Sequence, residues 1–527
     1  MKAALRLLLA PYRFSVDRLF RMGEVGWAHW FDSPSLYGGS HPYLYQDSGG
    51  TTPVTAVGQT IGLSLDRAFG GYRGPELMPD GSFNGGTKTG WGFFDSSGGA
   101  DTPSMGAVSG GALTVTGVGT PRASWLGAGP TFLPVVIDRF YEVTVDISGA
   151  TSSPFLAVAA ASDMTSVLQQ EVVGGSNATR KARLIWKCTT TSPYFGIRSA
   201  AAGTFTIDNF SVREIPGTHL IQATSPARPT LSARVNLLLN TATMSTQNVT
   251  TIAASYKLSF TGTGTVTLSG TSTAGPLVGT GANDRVSLTF TPTAGTLTLT
   301  VSGSVTLADL RTADDAAKNI PAYQRVGATA ADHDTEGFPH YALFDGSDDS
   351  WASTATVDGS AYDKVTVVAG VTKNSDAATG TLVNFVGHPA SPTDGAFLIE
   401  APPNSGLARF GAQTRGTSAR VFVGSSPYIH PAPLSSVLTV ACNHAAPVKE
   451  GQIYARVNSA EMPAAYDVPG PTGAGNYGTG LLSFGVNLVG GNRFNGREYA
   501  SIGRFGSMSE TERNRLESWV KNLMRMP

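Results

Sequence analysis

The sequence is poor in charged residues and in cysteine, and each shortage excludes a class of protein. Charged residues make up 14% of the 527 residues and the formal net charge is −1, without the basic excess of a nucleic-acid-binding protein. The two cysteines, Cys188 and Cys442, have no neighbouring Cys or His at zinc-ligand spacing, so we expect two buried free thiols. No apolar run approaches the roughly 18 residues that span a bilayer, so we expect no membrane insertion.

The N-terminal residues 1–11 resemble a signal peptide only in part. Arg6 interrupts the short apolar run, and no small-x-small cleavage site follows it. Aromatic residues then cluster between Trp27 and Tyr45. A segment this short buries little surface by itself, so we expect residues 1–74 to be a docking segment that a partner completes.

Alternation of apolar and polar residues predicts strands through most of the chain. Tyr141, Val143, Val145 and Ile147 alternate with polar residues, which is the period of a strand with one buried face. The same period recurs in residues 234–320, where the opposite face is almost entirely Thr and Ser and favours a spacer or subunit contact. The predicted fold class is all-β, with several β-sandwich or jelly-roll modules, a short N-terminal anchoring region and a C-terminal helix.

Two segments of the sequence are similar to each other. Residues 237–311 read as a shorter second copy of residues 77–213, and two similar β-modules favour a binding array over a single catalytic pocket. A chain of this length should form roughly three or four domains. The predicted segments are the N-terminal docking segment (1–74), a jelly roll (75–215), a linker (216–233), a smaller β-sandwich module (234–320) and a last domain (321–527).

The last domain is predicted to end in a helix that follows Ser509. Ser509 as N-cap and Glu512 three residues later form a capping box. Apolar residues at helical spacing then define a face that should pack on the preceding sandwich: Leu516, Trp519, Val520, Leu523 and Met524.

Two short motifs and two inserted modules carry a resemblance to a known family. Residues 343–350 read Leu-Phe-Asp-Gly-Ser-Asp-Asp-Ser, and residues 494–499 read Phe-Asn-Gly-Arg-Glu-Tyr shortly before the helix. Together they resemble the opening and the close of a concanavalin A-like (laminin-G-like) lectin domain of tailed-bacteriophage virion proteins. Residues 45–54 and 219–230 resemble pieces of phage fibre and spike proteins. The module at 75–215 is similar to a carbohydrate-binding-module jelly roll, and the module at 234–320 resembles a reduced version.

The resemblance implies sugar binding, which needs aromatic faces that stack on pyranose rings. For each candidate, burial in a sandwich core is the open alternative. The candidate carbohydrate-binding residues are Trp91, Trp125, Tyr194, Trp351 and Tyr428.

Asp345, Asp348 and Asp349 place three carboxylates within five residues. They could supply oxygen ligands to calcium, which is the one cofactor that we consider. The alternative is a structural turn beside Gly346, in which Asp side chains accept backbone N–H bonds.

No catalytic residues are predicted. Retaining glycosidases of the resembling fold usually carry Glu-x-Asp-x-Glu on one strand face, because hydrolysis needs two carboxylates across the scissile bond. Glu400, Glu450, Glu461 and Glu498 are instead isolated from one another in the sequence. We therefore expect a protein that is not an enzyme.

The resemblance implies a bacteriophage virion protein, a tail fibre, spike or tail-tip component that recognises host-surface glycans and mediates attachment. The N-terminal segment would contact other virion proteins, and the sandwiches would bind host cell-surface polysaccharide. The expected location is the virion surface after assembly in the host cytoplasm, and the expected oligomer is a homotrimer. Two alternatives stay open, namely a capsid or tail decoration protein without sugar binding and a glycan depolymerase.

Overall fold

The computed structural model describes residues 20–21, 23–96, 105–126, 132–173, 179–386, 394–417, 419–424, 429–466, 475–487 and 490–527. The protein is all-β, as predicted, and its sheets are antiparallel. Within these ranges no helix has the length and apolar character that a membrane crossing requires. The chain forms two compact units: unit 1 is Met1–Leu44, Val54–Gly70 and Thr218–Pro527, and unit 2 is Tyr45–Pro53 and Gly71–Gly217.

Unit 2 contains two five-stranded sheets, with strands numbered here in chain order. The first sheet has the order β10 (Val167–Val172), β9 (Pro154–Ala159), β12 (Tyr194–Ser199), β7 (Arg122–Trp125) and β4 (Trp91–Phe94). The second has the order β11 (Arg180–Lys187), β8 (Phe140–Ser148), β13 (Gly203–Ile215), β6 (Ala112–Gly117) and β5 (Gly106–Ser109). Apolar residues of both sheets form one core, which makes this unit a β-sandwich.

The predicted alternation along β8 is confirmed. Val143, Val145 and Ile147 are buried in the core, whereas Glu142 and the other polar residues between them lie on the outer face of the sheet. The reason is the two-residue period of a strand, which sends successive side chains to opposite faces.

Unit 1 contains a larger sandwich. Its eight-stranded sheet has the order β15 (Thr230–Ser232), β23 (Tyr341–Asp345), β37 (Asn495–Phe505), β26 (Lys364–Lys373), β31 (Leu434–Asn443), β32 (Ile453–Val457) and β33 (Ala460–Glu461), with β1 (Gly26–Trp30) also paired to β37. Its ten-stranded sheet has the order β2 (Leu44–Tyr45), β3 (Leu63–Ser64), β14 (Leu220–Ile221), β24 (Trp351–Ser353), β36 (Leu482–Phe484), β27 (Thr381–Phe385), β28 (Ala396–Glu400), β29 (Gly411–Arg415), β30 (Ala419–Gly424) and β34 (Ala464–Tyr466). Apolar residues of both sheets, such as Val367 and Phe397, share one core.

A smaller pair of sheets also belongs to unit 1. One sheet has the order β16 (Gln247–Thr251), β21 (Gly295–Ser302), β18 (Thr265–Gly270) and β19 (Leu277–Val278). The other has the order β20 (Gly281–Phe290), β17 (Tyr256–Gly262) and β22 (Thr306–Thr312). Leu258 and Phe260 of one sheet pack with Leu297 and Leu299 of the other in a separate core. We call these two sheets the small sandwich.

The remaining regular elements are short, except for one helix. They are the two-stranded sheet of β25 (Val357–Asp358) and β35 (Thr479–Gly480), the 3-10 turns Pro34–Tyr37, Ser225–Ala227 and Lys449–Gly451, the four-residue helix Ala313–Ala316 and the C-terminal helix Glu510–Leu523.

The C-terminal helix confirms the predicted capping box. The Ser509 hydroxyl accepts the backbone N–H of Glu512, and the Glu512 carboxylate accepts the backbone N–H of Ser509. Leu516 and Val520 are fully buried and pack with Ile502 of the eight-stranded sheet. The helix therefore covers that sheet, as its apolar face predicted.

Cys188 and Cys442 are both free thiols and both buried, as expected. Burial raises the pKa of the Cys442 thiol to about 12, so this side chain stays protonated and unreactive at neutral pH.

Candidate functional site

Trp91 and Trp125 are two of the candidate carbohydrate-binding residues, and they lie opposite each other on β4 and β7. Their rings pack edge to face with centroids 6.1 Å apart, and the two residues are only 6% and 7% exposed. Both belong to the core of unit 2. Both side chains are therefore buried in a core, which was the alternative to sugar binding, and neither presents an exposed ring face to a ligand.

The other aromatic candidates have different surroundings. Trp351 is 1% exposed, and its indole N–H donates to the Ile61 carbonyl over 3.0 Å, so its ring is also part of a core. Tyr194 is half-buried and packs edge to face against the exposed Phe132, with ring centroids 5.3 Å apart. Tyr428 lies outside the described residues. Tyr194 is therefore the candidate whose ring retains some exposure in the described part of the chain.

Asp345, Asp348 and Asp349 come together at the end of β23, with carboxylate oxygens within 4.8 Å of one another. The Asp345 carboxylate accepts the backbone N–H groups of Ser347 and Asp348, which is the structural turn that was the alternative to calcium. Burial raises the pKa of Asp349 to about 7, and the nearby negative charges of Asp345 and Asp348 add to that rise. The three side chains would supply only part of the six to eight oxygen ligands that calcium takes, and calcium binding here stays a prediction.

Two of the four isolated glutamates are buried. Burial raises the pKa of Glu400 to about 7 and that of Glu498 to about 8. Glu400 lies on β28 of the ten-stranded sheet, where Gln413 donates to it, and Glu498 lies on β37 of the other sheet. Glu450 and Glu461 are exposed. The two protonatable carboxyls thus do not alternate along one strand, as the acids of the retaining enzymes usually do.

A wide groove lies on the outer face of the second sheet of unit 2, and we call it the unit 2 groove. Its volume is about 1010 Å³. Its lining combines strands β8, β11 and β13 with the segment that follows Gly71. The lining residues are Arg73, Glu76, Met78, Pro79, Gly81, Ser82, Glu142, Thr144, Asp146, Lys181, Arg183, Asn209, Phe210, Ser211 and Arg213.

Glu142 holds two arginines at one end of the groove. Arg73 donates through Nε and Nη2 over 3.0 and 3.2 Å, and Arg183 donates through Nε over 2.5 Å. Arg183 also donates to the Tyr45 hydroxyl over 2.8 Å. Burial alone would raise the pKa of Glu142, but the hydrogen bond from Arg73 and the charge of Arg183 hold it below its ordinary value. The carboxylate therefore stays ionised and fixes both guanidinium planes.

Glu76 forms a second fixed cluster beside β13. Its carboxylate accepts from the Ser211 hydroxyl, from the backbone N–H of Val212 over 2.8 Å and from the Arg213 Nε over 3.0 Å. Burial opposes ionisation here, but these hydrogen bonds outweigh it and lower the pKa of Glu76. An acid and a base are again locked together on the groove wall.

The bulge in β13 supplies the groove rim. The register shifts between Asp208 and Ser211, and Asn209 has a φ of +51° there. Its amide donates to Asp146 over 3.0 Å and to Asp208 over 3.3 Å. Asp208 and Asn209 thus form side-chain hydrogen bonds at a β-bulge.

Free hydrogen-bonding capacity remains along the groove floor. Lys181 faces Asp146 across the β11–β8 register and is exposed, with no hydrogen-bond or ionic partner among the described residues. In the described part of the chain Asp146 accepts from Asn209 alone, although a carboxylate can accept about four hydrogen bonds. The groove can therefore bind an extended molecule rich in hydroxyl groups, because it offers fixed donors and acceptors in a row.

Sequence reasoning missed the groove residues because it looked for aromatic platforms. The alternation had already placed Glu142, Thr144 and Asp146 on a polar face of β8. The missing step was the register that brings Arg183 of β11 opposite Thr144 and next to Glu142, and the arrival of Arg73 from a distant segment.

Comparisons with known proteins give weak structural similarity. No family model and no curated protein matches the chain. One similar solved structure is the CBM40 of the Ruminococcus gnavus IT-sialidase bound to α2,3-sialyllactose, with 14% identity over 30% of this chain and 83% of that chain and a TM-score of 0.23. Domain 4 of the GH43 arabinanase AbnA from Geobacillus stearothermophilus, in complex with arabinotriose, has 14% identity over 35% and 76% with a TM-score of 0.20. The CBM22 tandem of Paenibacillus barcinonensis Xyn10C has 12% identity over 45% and 98% with a TM-score of 0.19. At these scores the similarity does not establish a shared function.

Proposed function

We propose that this protein binds surface polysaccharide through the unit 2 groove, without transforming it. The observation that carries the proposal is the groove itself, an open polar channel of about 1010 Å³ whose three arginines are held by carboxylates. This volume reaches the upper end of the range for small-molecule sites, so it suits several consecutive sugar units of a polymer.

The chemistry of binding is hydrogen bonding more than stacking. Asp146, Lys181 and Thr144 present acceptors and donors to sugar hydroxyls along the sheet, and the ion pairs around Glu142 and Glu76 keep the walls rigid. Rigid walls reduce the entropy that binding costs. Because the side chains of the groove offer no exposed aromatic face, each contact is weak, and useful adhesion requires many copies.

A tailed-phage virion surface supplies such copies, and we propose this protein as a tail fibre, spike or tail-tip component. The support is the resemblance of residues 343–350 and 494–499 to a lectin-like domain of phage virion proteins. In this proposal residues 1–74 dock on other virion proteins, and residues 75–215 and 234–320 are inserted modules. Residues 321–527 are the lectin-like domain, whose two sheets are completed by the strands β1, β2, β3, β14 and β15. A homotrimer is the proposed oligomer.

A glycan array of bacterial surface polysaccharides tests the binding function. We expect the full chain to bind a subset of polysaccharides. Asp146→Ala should weaken that binding about tenfold and Lys181→Gln about threefold, because each removes a group that faces the ligand. Arg515→Gln, on the exposed side of the C-terminal helix, is the matched control and should bind normally. Absence of binding on the array, or binding that both groove variants leave unchanged, contradicts the proposal.

Two further measurements separate the alternatives. Immunogold labelling of virions should place the chain at the tail, whereas labelling spread over the capsid lattice supports a decoration protein. A reducing-sugar assay on the bound polysaccharide should detect no release of ends, and time-dependent release would instead support a depolymerase.

A further inference from the structure

The three-stranded sheet of the small sandwich carries positive charge on its outer face. Lys257 and Ser259 point away from the core residues on either side of them in β17. Arg285 of β20 and Arg311 of β22 join them around a pocket of about 230 Å³. The sequence predicted an uncharged Thr and Ser face in this module. That prediction is wrong for this sheet, because its few charged residues are gathered on one side.

The carboxylate in this pocket, that of Asp309, already has ionic and hydrogen-bond partners. Asp309 forms an ion pair with Arg311 on the same strand, and its carboxylate also accepts the backbone N–H of Gln324 over 3.0 Å. Arg311 donates in addition to the Pro321 carbonyl over 3.0 Å. The charge of Arg311 is therefore balanced by Asp309, and little of either side chain is left for other partners.

Two positive charges remain without a carboxylate. Arg285 donates to the Ser259 hydroxyl over 3.1 and 2.9 Å and to the Leu307 carbonyl over 2.9 Å, all of which are neutral acceptors. Lys257 is exposed. Within the described residues neither cation has a carboxylate within 4 Å, and a half-buried guanidinium without a counter-ion is unfavourable.

We propose that this pocket binds a tetrahedral oxyanion, a phosphate or sulfate group, between Arg285 and Lys257. A dianion would balance the two remaining charges, and guanidinium groups bind phosphate oxygens through directed N–H bonds. The volume of about 230 Å³ admits such a group together with part of a molecule that carries it. The Ser287 hydroxyl lines the same pocket and can donate a further hydrogen bond. This site is separate from the unit 2 groove.

Isothermal titration calorimetry of the full chain with sodium phosphate and with sodium sulfate, at low ionic strength, tests the proposal. We expect saturable binding of both anions, weakened about tenfold by Arg285→Gln and less by Lys257→Gln. Arg515→Gln, which removes one positive charge elsewhere, should bind normally. Lys257→Gln keeps the test valid if Arg285→Gln fails to fold, because Lys257 contacts no partner that the fold needs. Absence of binding, or binding that Lys257→Gln and a folded Arg285→Gln both leave unchanged, overturns the proposal.

The source of the oxyanion is resolved by a second titration with glucose 6-phosphate and with glucose. Tighter binding of glucose 6-phosphate than of inorganic phosphate supports an oxyanion carried on a glycan, and equal binding supports a free ion. Both results support the site. If glucose binds as well as glucose 6-phosphate, the phosphate contributes nothing and the proposal fails. The glycan-array binding of Lys257→Gln should be normal, so failure here is distinguishable from failure of the unit 2 groove.

Discussion

The two charged sheet faces of this protein differ in how their cations are compensated. In the unit 2 groove, Arg73 and Arg183 share the carboxylate of Glu142, and the exposed Lys181 faces Asp146 across the β11–β8 register. On the outer face of the small sandwich, Arg285 donates only to neutral oxygens and Lys257 has no partner among the described residues. Both faces are formed by the outward residues of antiparallel strands, so the sheet geometry does not explain the difference.

An arginine on a sheet face can therefore serve two opposite purposes. A guanidinium paired with a carboxylate has its charge balanced and its orientation fixed, so it acts as part of a rigid wall for neutral hydroxyl groups. A guanidinium without a carboxylate partner keeps its positive electrostatic field, which attracts an anion in preference to a neutral ligand.

Glu142→Gln should have the strongest effect, because it would leave Arg73 and Arg183 with no carboxylate between them. Arg73 and Arg183 would lose their shared acceptor while staying largely buried, since their side chains are 17% and 33% exposed. We expect the free energy of unfolding of unit 2 to fall by about 2 kcal/mol. Hydrogen exchange of the β8 amides, read by mass spectrometry, should report this loss directly.

The control for that variant is Glu214→Gln. Glu214 pairs with Arg139, but these side chains are 30% and 51% exposed, so the expected loss is about 0.5 kcal/mol or less. Equal losses in the two variants would mean that the pairing around Glu142 is an ordinary surface ion pair, and the contrast between the two faces would disappear.

Acidification should weaken polysaccharide binding in the unit 2 groove but not sulfate binding in the pocket of the small sandwich. The pKa values of Glu76 and Glu142 lie below the ordinary value of 4.5, although burial opposes this, because of their hydrogen bonds and neighbouring cations. The stability that such carboxyls contribute is present above about pH 4.5 and is lost as the pH falls through the lowered pKa. We expect polysaccharide affinity to fall below about pH 4.5, whereas sulfate binding does not decrease, because the Arg285 guanidinium stays charged over this range. Parallel titrations at each pH measure both. A fall in sulfate affinity over this range would contradict the assignment.

Much of the fold could be predicted from local patterns. The period of two along β8 placed Val143 and Val145 in the core, and the capping box at Ser509 fixed the start of the C-terminal helix. These features depend on residues that are close in sequence, so the pattern itself contains the physical information.

The sites could not be predicted in the same way, because they depend on contacts between distant residues. Arg73 and Glu142 are 69 positions apart, and the pairing of Arg183 with Glu142 needs the β11–β8 register. Composition was misleading as well. Trp91 and Trp351 are chemically suited to sugar stacking, yet both are used to fill cores. Burying a large aromatic side chain in a core stabilises the fold by more free energy than leaving it exposed at a surface site, unless the core has no room for it.

The smallest expected effect is the dependence of the two sites on salt, and it is the most direct comparison of their charges. Raising the salt from about 0.1 M to about 1 M shortens the Debye length from about 10 Å to about 3 Å, which screens an uncompensated charge more than a paired one. Sulfate binding between Lys257 and Arg285 should weaken severalfold when potassium chloride is added, whereas polysaccharide binding in the unit 2 groove should change by less than about twofold. Calorimetry with both ligands in the same salt series gives the two slopes. Glu142→Gln should make polysaccharide binding salt-dependent if any binding remains, because it leaves Arg73 and Arg183 without a counter-charge. Equal salt dependences at the two wild-type sites would mean that ion pairing of the arginines does not determine how ligand binding at these faces responds to salt.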